Sequence, residues 1–286
     1  MKLNRREFVA GAAALTCTAR YGLANALGLP LAIQLYSVRQ QMAQDLDMAL
    51  SGVASAGFTV VESAALPAKS AKEIRAALDK AGLRCVSSHH GYGDLAKDFD
   101  EVLAFDTELG SKYIICSSPG RRTPAAAGQQ ALTMDDWRFN AEKFNEFGEK
   151  TAKHGIQFGY HNHIHEFKVT NGVTPYEELL KLTDPKKVTF ELDCGWARVA
   201  GHDPIDLMQK HPYRFSMLHV KDFHLAPAPE PPKVTELGQG DIDYRPVMAQ
   251  ARKNQRIRYA FVEQEEFDMP WQKSLKIDAA YMRSLT

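Results

Sequence analysis

From residue 31 onward, short apolar runs alternate with longer stretches in which apolar positions recur every three or four residues. The runs are rich in β-branched and aromatic residues and fall at Leu31–Tyr36, Thr59–Ser63, Arg84–Ser88, Tyr113–Cys116, Gln157–His161, Val188–Asp193, Ser216–Lys221 and Tyr259–Gln264. Each is short enough for a buried strand. The helical period between them predicts helices near 40–56, 70–81, 95–109, 134–154, 175–182, 204–210, 244–254 and 271–284. Gly57, Gly82, Gly110 and Gly155 each stand just before a strand, where a glycine ends a helix in the left-handed conformation at little cost. Eight strand–helix units predict an α/β chain folded as one (β/α)8 TIM barrel over residues 27–286. The rival is an open doubly wound sheet, and no G-x-G-x-x-G follows the first strand to support it. Two longer Pro-, Gly- and Ala-rich segments, 117–133 and 224–243, follow strands and are expected to be loops over the catalytic face.

Residues 1–26 break this alternation. Asn4-Arg5-Arg6-Glu7-Phe8 resembles a twin-arginine (Tat) export signal, Val9 to Ala14 is modestly apolar, and Ala24-Asn25-Ala26 offers an A-x-A cleavage site. The apolar run is far below the roughly 20 helical residues that span a bilayer, so no permanent membrane span is expected. The expectation is a protein handled by the Tat export machinery, periplasmic or exported, whose mature chain begins near Leu27. A frayed helix with a chance arginine pair is the bland alternative, and Thr16 before Cys17 disfavours a lipoprotein. Removal of the leader leaves Cys85, Cys116 and Cys194, an odd number that argues for buried thiols. No C-x-x-C spacing suggests a zinc knuckle.

Charge narrows the partners. In 286 residues, 35 Lys and Arg balance 35 Asp and Glu, beside 10 His. With no basic excess and no basic run, a nucleic-acid partner held by phosphate neutralisation is excluded. An apolar share of 44% with 24% charged residues is that of an ordinary globular chain.

In a (β/α)8 barrel the carboxyl ends of all strands surround one mouth. Read in order, they carry Gln34, Glu62, His89-His90, His161-Asn162-His163 followed by Glu166, Asp193, His219 with Lys221, and Glu263-Gln264-Glu265. The last four strands each end in Asp, Glu or His, and this mixed oxygen and nitrogen set suits one divalent Mn, Co, Zn, Fe or Mg ion better than Ca. Any one of these residues is more simply a satisfied polar group; convergence of four strand ends carries the metal reading.

Gly-Tyr-His-Asn-His-Ile-His-Glu-Phe at 159–167, Glu-Leu-Asp-Cys-Gly-Trp-Ala at 191–197, His-Val-Lys-Asp at 219–222, Gly-Gln-Gly-Asp-Ile-Asp at 238–243 and Val-Glu-Gln at 262–264 resemble the xylose isomerase-like sugar phosphate isomerase/epimerase superfamily. Ile-Gln-Leu-Tyr-Ser-Val-Arg at 33–39 fits its first strand, so the resemblance spans the chain after the leader. It implies one divalent metal held at the ends of strands five to eight, with Asp193, His219 and Glu263 matching the last three ligands. At the fifth strand the epimerases of the superfamily place a glutamate that is both ligand and acid/base, and this chain has His161. The implied metal set is therefore His161, Asp193, His219 and Glu263, with Glu166 as the alternative to His161. A coordinating imidazole has no spare basic lone pair, which removes one of two opposed carboxylates from an epimerisation. Some lyase-like relatives acting on oxidised sugars are similar in carrying histidine there.

The resemblance implies a metal-dependent isomerase or epimerase of a sugar or keto-sugar, working by proton abstraction next to a carbonyl through a metal-stabilised enediolate. Glu263 or His163 would take the proton, and Lys221, one alternation beyond His219, would steady the oxyanion. Glu62, His89, His90, Gln34 and Trp196 would line the substrate pocket, although one of two adjacent histidines must face away. The blander alternatives are a carbonyl-bonded buried His163, an exposed rim Lys221 and a packing Trp196. Gly238-Gln239-Gly240 would form a phosphate nest or merely turn the chain towards Asp241 and Asp243 as helix caps. Other readings of the same barrel are a sugar lyase or dehydratase, a three-metal endonuclease-like hydrolase, for which the basic groove is missing, and a non-catalytic periplasmic sugar-binding barrel. The partner is a small-molecule sugar, and the sequence sets no oligomeric state.

Overall fold

A computed structural model describes residues 27–125, 131–170, 172–226 and 230–285. The expected leader, residues 1–26, lies outside the described residues. Ten strands appear among them: β1 (Ala32–Gln34), β2 (Val60–Ser63), β3 (Arg84–Gly91), β4 (Tyr113–Ser118), β5 (Gln157–His161), β6 (Val188–Asp193), β7 (Phe215–Val220), β8 (Asp222–His224), β9 (Lys233–Thr235) and β10 (Tyr259–Val262). All but β8 and β9 pair in parallel and close into a barrel in the order β1-β10-β7-β6-β5-β4-β3-β2. The single-domain TIM barrel expected from the alternation is the fold, and no described helix is long and apolar enough to cross a membrane.

The helices depart from expectation where an aspartate interrupts an apolar period. The first splits into Arg39–Gln44 and Leu46–Ser55 because Asp45 caps the second piece, accepting from Met48 N. The third splits into Tyr92–Lys97 and Phe99–Leu109, where Asp98 accepts from Glu101 N. Such a side chain satisfies a donor that a continuing helix would leave to the previous turn. Gly82 and Gly110 close their helices at φ +72° and +93°, as glycine permits. The segment 224–243, expected as loop, contributes β9, which pairs antiparallel with β8 to form a strap beside the mouth.

Inside the barrel, strand alternation sorts side chains into layers. Ala32, Val60, Val86, Ile115, Met217 and Phe261 form a separate apolar cluster, the floor. Two residues further along four of these strands stand Gln34, Glu62, His219 and Glu263, all buried. The larger core lies between barrel and helices and takes the outward residues of the same strands, such as Ile33, Val61, Leu218 and Val262. Cys85, Cys116 and Cys194 are buried and unbridged.

Candidate metal centre

His161, Asp193, His219 and Glu263 each offer a ligand atom, all within 4.8 Å of one another, and all four are buried. Asp193 Oδ1 accepts from Trp196 N at 2.7 Å, because the chain turns from β6 straight into the helix Cys194–Val199 and the aspartate caps it. Its Oδ2 is buried and accepts no hydrogen bond, although Lys221 Nζ lies at 3.0 Å, His161 Nε2 at 3.8 Å and His219 Nδ1 at 3.9 Å. Glu263 Oε2 sits 2.9 Å from His219 Nδ1 and 2.7 Å from Lys221 Nζ. A buried carboxylate oxygen whose one close cation is Lys221, and which also faces two imidazole nitrogens and a second carboxylate, is an environment a divalent cation can satisfy. The residues therefore fit the ion that the sequence implied.

Burial pushes the Asp193 carboxyl up to about 6 despite Lys221 and His219 beside it. Burial also opposes ionisation of Glu263, but Lys221 and His219 overcome it and hold that carboxyl well below its usual range. Burial, with the neighbouring His219, holds His161 far below the ordinary histidine value, in the neutral form that coordinates metals. Lys221 is not an exposed rim lysine. It is buried, bonds Glu265 Oε1 at 2.5 Å, and lies over the Trp196 ring at 5.2 Å, and Asp193 and Glu263 outweigh burial in keeping it charged.

A second carboxylate layer lies towards the floor, and its centre is Glu191, which the sequence reading passed over. Alternation along β6 puts Glu191 and Asp193 on one face, so an acidic pair two apart in an otherwise uncharged strand was the available signal. Glu191 Oε2 lies 2.7 Å from His89 Nε2, 3.1 Å from His161 Nδ1 and 3.2 Å from His219 Nε2. Glu62 Oε2 lies 2.7 Å from His219 Nε2 and 3.0 Å from His89 Nε2, and takes the Gln34 amide at 2.7 Å. Burial disfavours charge on His89, yet Glu62 and Glu191 raise it to about 9. His89, His161, Glu191 and His219 thus form an overlapping ligand-capable group.

Other expected site residues lie apart from these layers. His90 turns away from His89 and bonds Asp106, Nε2 to Oδ2 at 2.7 Å, so of the adjacent pair only His89 faces the interior. Glu166, the expected alternative ligand, accepts from Tyr160 Oη at 2.5 Å and from His163 N at 3.0 Å. The 3-10 turn His165–Phe167 tucks it behind the barrel wall, because Tyr160 is an outward residue of β5. His163 stays at the mouth, its ring 4.7 Å from His161 and 6.4 Å from Trp196. Burial and Lys221 push it down to about 3. Trp196 packs between Lys221 and Phe223, with its indole N–H unpartnered. The Gly238 and Gly240 amides do not face an open nest; both donate to Asp222 Oδ2, at 2.9 and 3.1 Å. Asp243 caps the following helix through Arg245 N, whereas Asp241 accepts from Leu225 N. One cavity of about 540 Å³ is lined in part by Arg39 and Glu265, and another of about 350 Å³ in part by His89 and His90.

A family model described as the xylose isomerase-like TIM barrel matches residues 50–285. An inosose dehydratase of Clostridium botulinum is 25% identical in an alignment of 249 positions that covers 77% of this chain and 82% of that protein. A solved sugar phosphate isomerase/epimerase from Parabacteroides distasonis superposes with a TM-score of 0.71 at 29% identity, over 89% of this chain and 93% of the other. The zinc-bound IOLI protein superposes with a TM-score of 0.68 at 13% identity, over 88% of this chain and 95% of that one.

Proposed function

The chain belongs to the xylose isomerase-like TIM barrel family, and on that premise we propose that it is a metal-dependent lyase removing water from a keto-sugar or keto-cyclitol. The observation that carries this reading is the imidazole at the end of β5. His161 stands where an epimerase needs a second acid/base carboxylate, and Glu166 is bound up with Tyr160. One face of the substrate is thus left without a proton carrier, and elimination needs only one. The likeness to inosose dehydratases supports the same outcome. The likeness to an isomerase/epimerase structure keeps that reaction as the competing result of the test.

His161 Nε2, Asp193 Oδ2, His219 Nδ1 and Glu263 would hold the ion. When bound, it supplies Lewis-acid polarisation of the substrate carbonyl. His163 is the proton carrier. It lies at the mouth, no described residue hydrogen-bonds its ring, and burial keeps it neutral with a free lone pair. It takes the proton next to the carbonyl, the C–H electrons form the new double bond, and the neighbouring C–O bond breaks. His163 then returns the same proton to the departing hydroxide. The balance is loss of one water with the protein unchanged. Lys221, buried and charged, faces the negative charge that develops on the carbonyl oxygen. The Gly238 and Gly240 amides already bind Asp222, which favours an unphosphorylated substrate.

Incubation of the Mn- or Co-loaded protein with keto-cyclitols and keto-sugars in D2O, read by mass spectrometry, tests this. A product lighter by one water, reduced at least a hundredfold in His163→Ala, is expected. Deuterated substrate isomers without loss of water would overturn the lyase reading in favour of epimerisation. Bound metal and sugar with no covalent change would overturn both.

A further inference from the structure

The two imidazoles of the proposed centre each face two ways. His219 turns Nδ1 to Asp193 and Glu263, and Nε2 to Glu62 at 2.7 Å and Glu191 at 3.2 Å. His161 turns Nε2 to Asp193 and Nδ1 to Glu191 at 3.1 Å. A neutral imidazole carries one proton. If His161 Nε2 and His219 Nδ1 present lone pairs to a cation at Asp193, the protons must sit on His161 Nδ1 and His219 Nε2. Both of those nitrogens meet the lower carboxylate layer. A second cation in that layer would require both rings to give up both protons and bridge two ions.

We propose that Glu191, with Glu62 beside it, is a positioning residue that fixes the tautomer and the ring orientation of both histidine ligands. The proposal rests on the metal reading above. The layer is built for that role from below. His89 Nε2 holds Glu191 Oε2 at 2.7 Å, and the Gln34 amide holds Glu62 Oε2 at 2.7 Å. Neither carboxylate is solvent-exposed, so water does not compete for the ring N–H groups. His89 stacks flat on His219, 4° between planes at 5.3 Å, which limits ring rotation. On this assignment Glu62 and His89, expected from the sequence as pocket lining, act through the metal ligands instead.

The test is Co(II) titration of chelator-stripped full-length protein, followed by visible absorbance and competition, with melting of the metal-free forms alongside. Wild type should bind one Co(II) per chain. Glu191→Gln keeps the shape but replaces the carboxylate charge facing three ring nitrogens by a neutral amide; it should bind Co(II) roughly 10- to 100-fold more weakly, with a shifted absorption band. Its metal-free melting temperature should stay close to wild type, which separates positioning from folding. Glu62→Gln should move the same readouts in the same direction through His219, and serves if Glu191→Gln does not fold. Unchanged affinity and spectrum in the variants would overturn the proposal while leaving the metal reading intact. Two Co(II) per wild-type chain, with one lost in Glu191→Gln, would overturn it by making Glu191 a ligand. A wild type that binds no Co(II) would take down both readings.

Discussion

Asp193 and Asp222 lie at the end of β6 and just past the end of β7, both are fully shielded from solvent, and burial raises the carboxyl of each above its usual range. The two are answered in different ways. Asp222 is saturated by the backbone: Oδ1 accepts from Phe223 N at 2.9 Å and Ile242 N at 3.1 Å, and Oδ2 from Gly238 N and Gly240 N. A Cβ at position 240 would lie 2.3 Å from Asp222 Oδ1 and 2.6 Å from the Phe223 carbonyl oxygen, so the approach requires glycine. Asp193 gives one oxygen to a helix cap and turns the other to side chains alone, Lys221 at 3.0 Å with His161 and His219 further off. A buried carboxylate whose acceptors are filled by amides holds a loop in place; one with an oxygen that meets only titratable side chains and no backbone donor is available to a ligand. The contrast extends to their surroundings. Lys221, His219 and His89 offset the acids of the mouth, whereas the acid nearest Asp222 on the C-terminal helix, Asp278, has Glu236 and Asp222 as its charged neighbours.

Removing each aspartate should break different properties. Asp222→Ala would strand four backbone donors, each worth about 1–3 kcal/mol when buried unpaired. With partial rehydration, a stability loss on the order of 4 kcal/mol is expected in denaturant titration, and a loss below about 1 kcal/mol would show that the strap does not depend on it. Asp193→Asn keeps the acceptor for Trp196 N and removes the charge. Its metal affinity should fall by roughly a hundredfold or more, about 3 kcal/mol, while the metal-free protein melts within a few degrees of wild type. Calorimetric metal titration and thermal melting together check it; a collapsed fold with unchanged metal affinity would reverse the roles assigned to the two aspartates.

Much of this was legible in the sequence, because period-2 and period-3.6 patterns are imposed by geometry that tertiary packing does not change. The barrel and its polar strand ends follow from that alternation, and the family resemblance singled out His161, Asp193, His219 and Glu263 among them as the implied metal set. What was not legible depends on neighbours in space. Asp45 and Asp98 sit inside helical periods and act as caps, which a hydrophobic period does not reveal. Which of His89 and His90 faces inward depends on pairing with β4, where the register shifts after His90. Glu191 reads as part of a core strand until β5 and β7 place His161 and His219 beside it. Asp222 reads as one more acid at the mouth until the glycine amides close on it. Glu166 had the reach to be a ligand, but Tyr160, on the outer face of its strand, takes it away.

The smallest predicted effect tests the charge contrast itself. Burial, with Glu236 and Asp222 nearby, raises the Asp278 carboxyl from its ordinary value to about 7 in the folded protein, where its Oδ1 accepts from Leu237 N at 2.8 Å. Below about pH 4 both folded and unfolded chains hold the proton, and the residue carries no penalty. Between about pH 4 and 7 the unfolded chain releases the proton while the folded one keeps it, so stability falls as pH rises, and the loss is complete above about 7. A rise of about three pH units corresponds to at most about 4 kcal/mol, and relaxation of the strap should leave about 1–2 kcal/mol of it. Asp278→Asn retains the acceptor for Leu237 N and should stabilise the protein more at pH 8 than at pH 5, read as a melting-temperature difference that grows with pH. Glu263, whose carboxyl is depressed, has the opposite slope: its stabilisation is present above the ordinary carboxylate range and is lost as pH falls. Asp278→Asn should therefore lift the alkaline limb of the stability profile and leave the acid limb unchanged. A uniform shift at all pH values would mean that the strap's acids are compensated like those of the mouth, and the contrast between the two regions would fail.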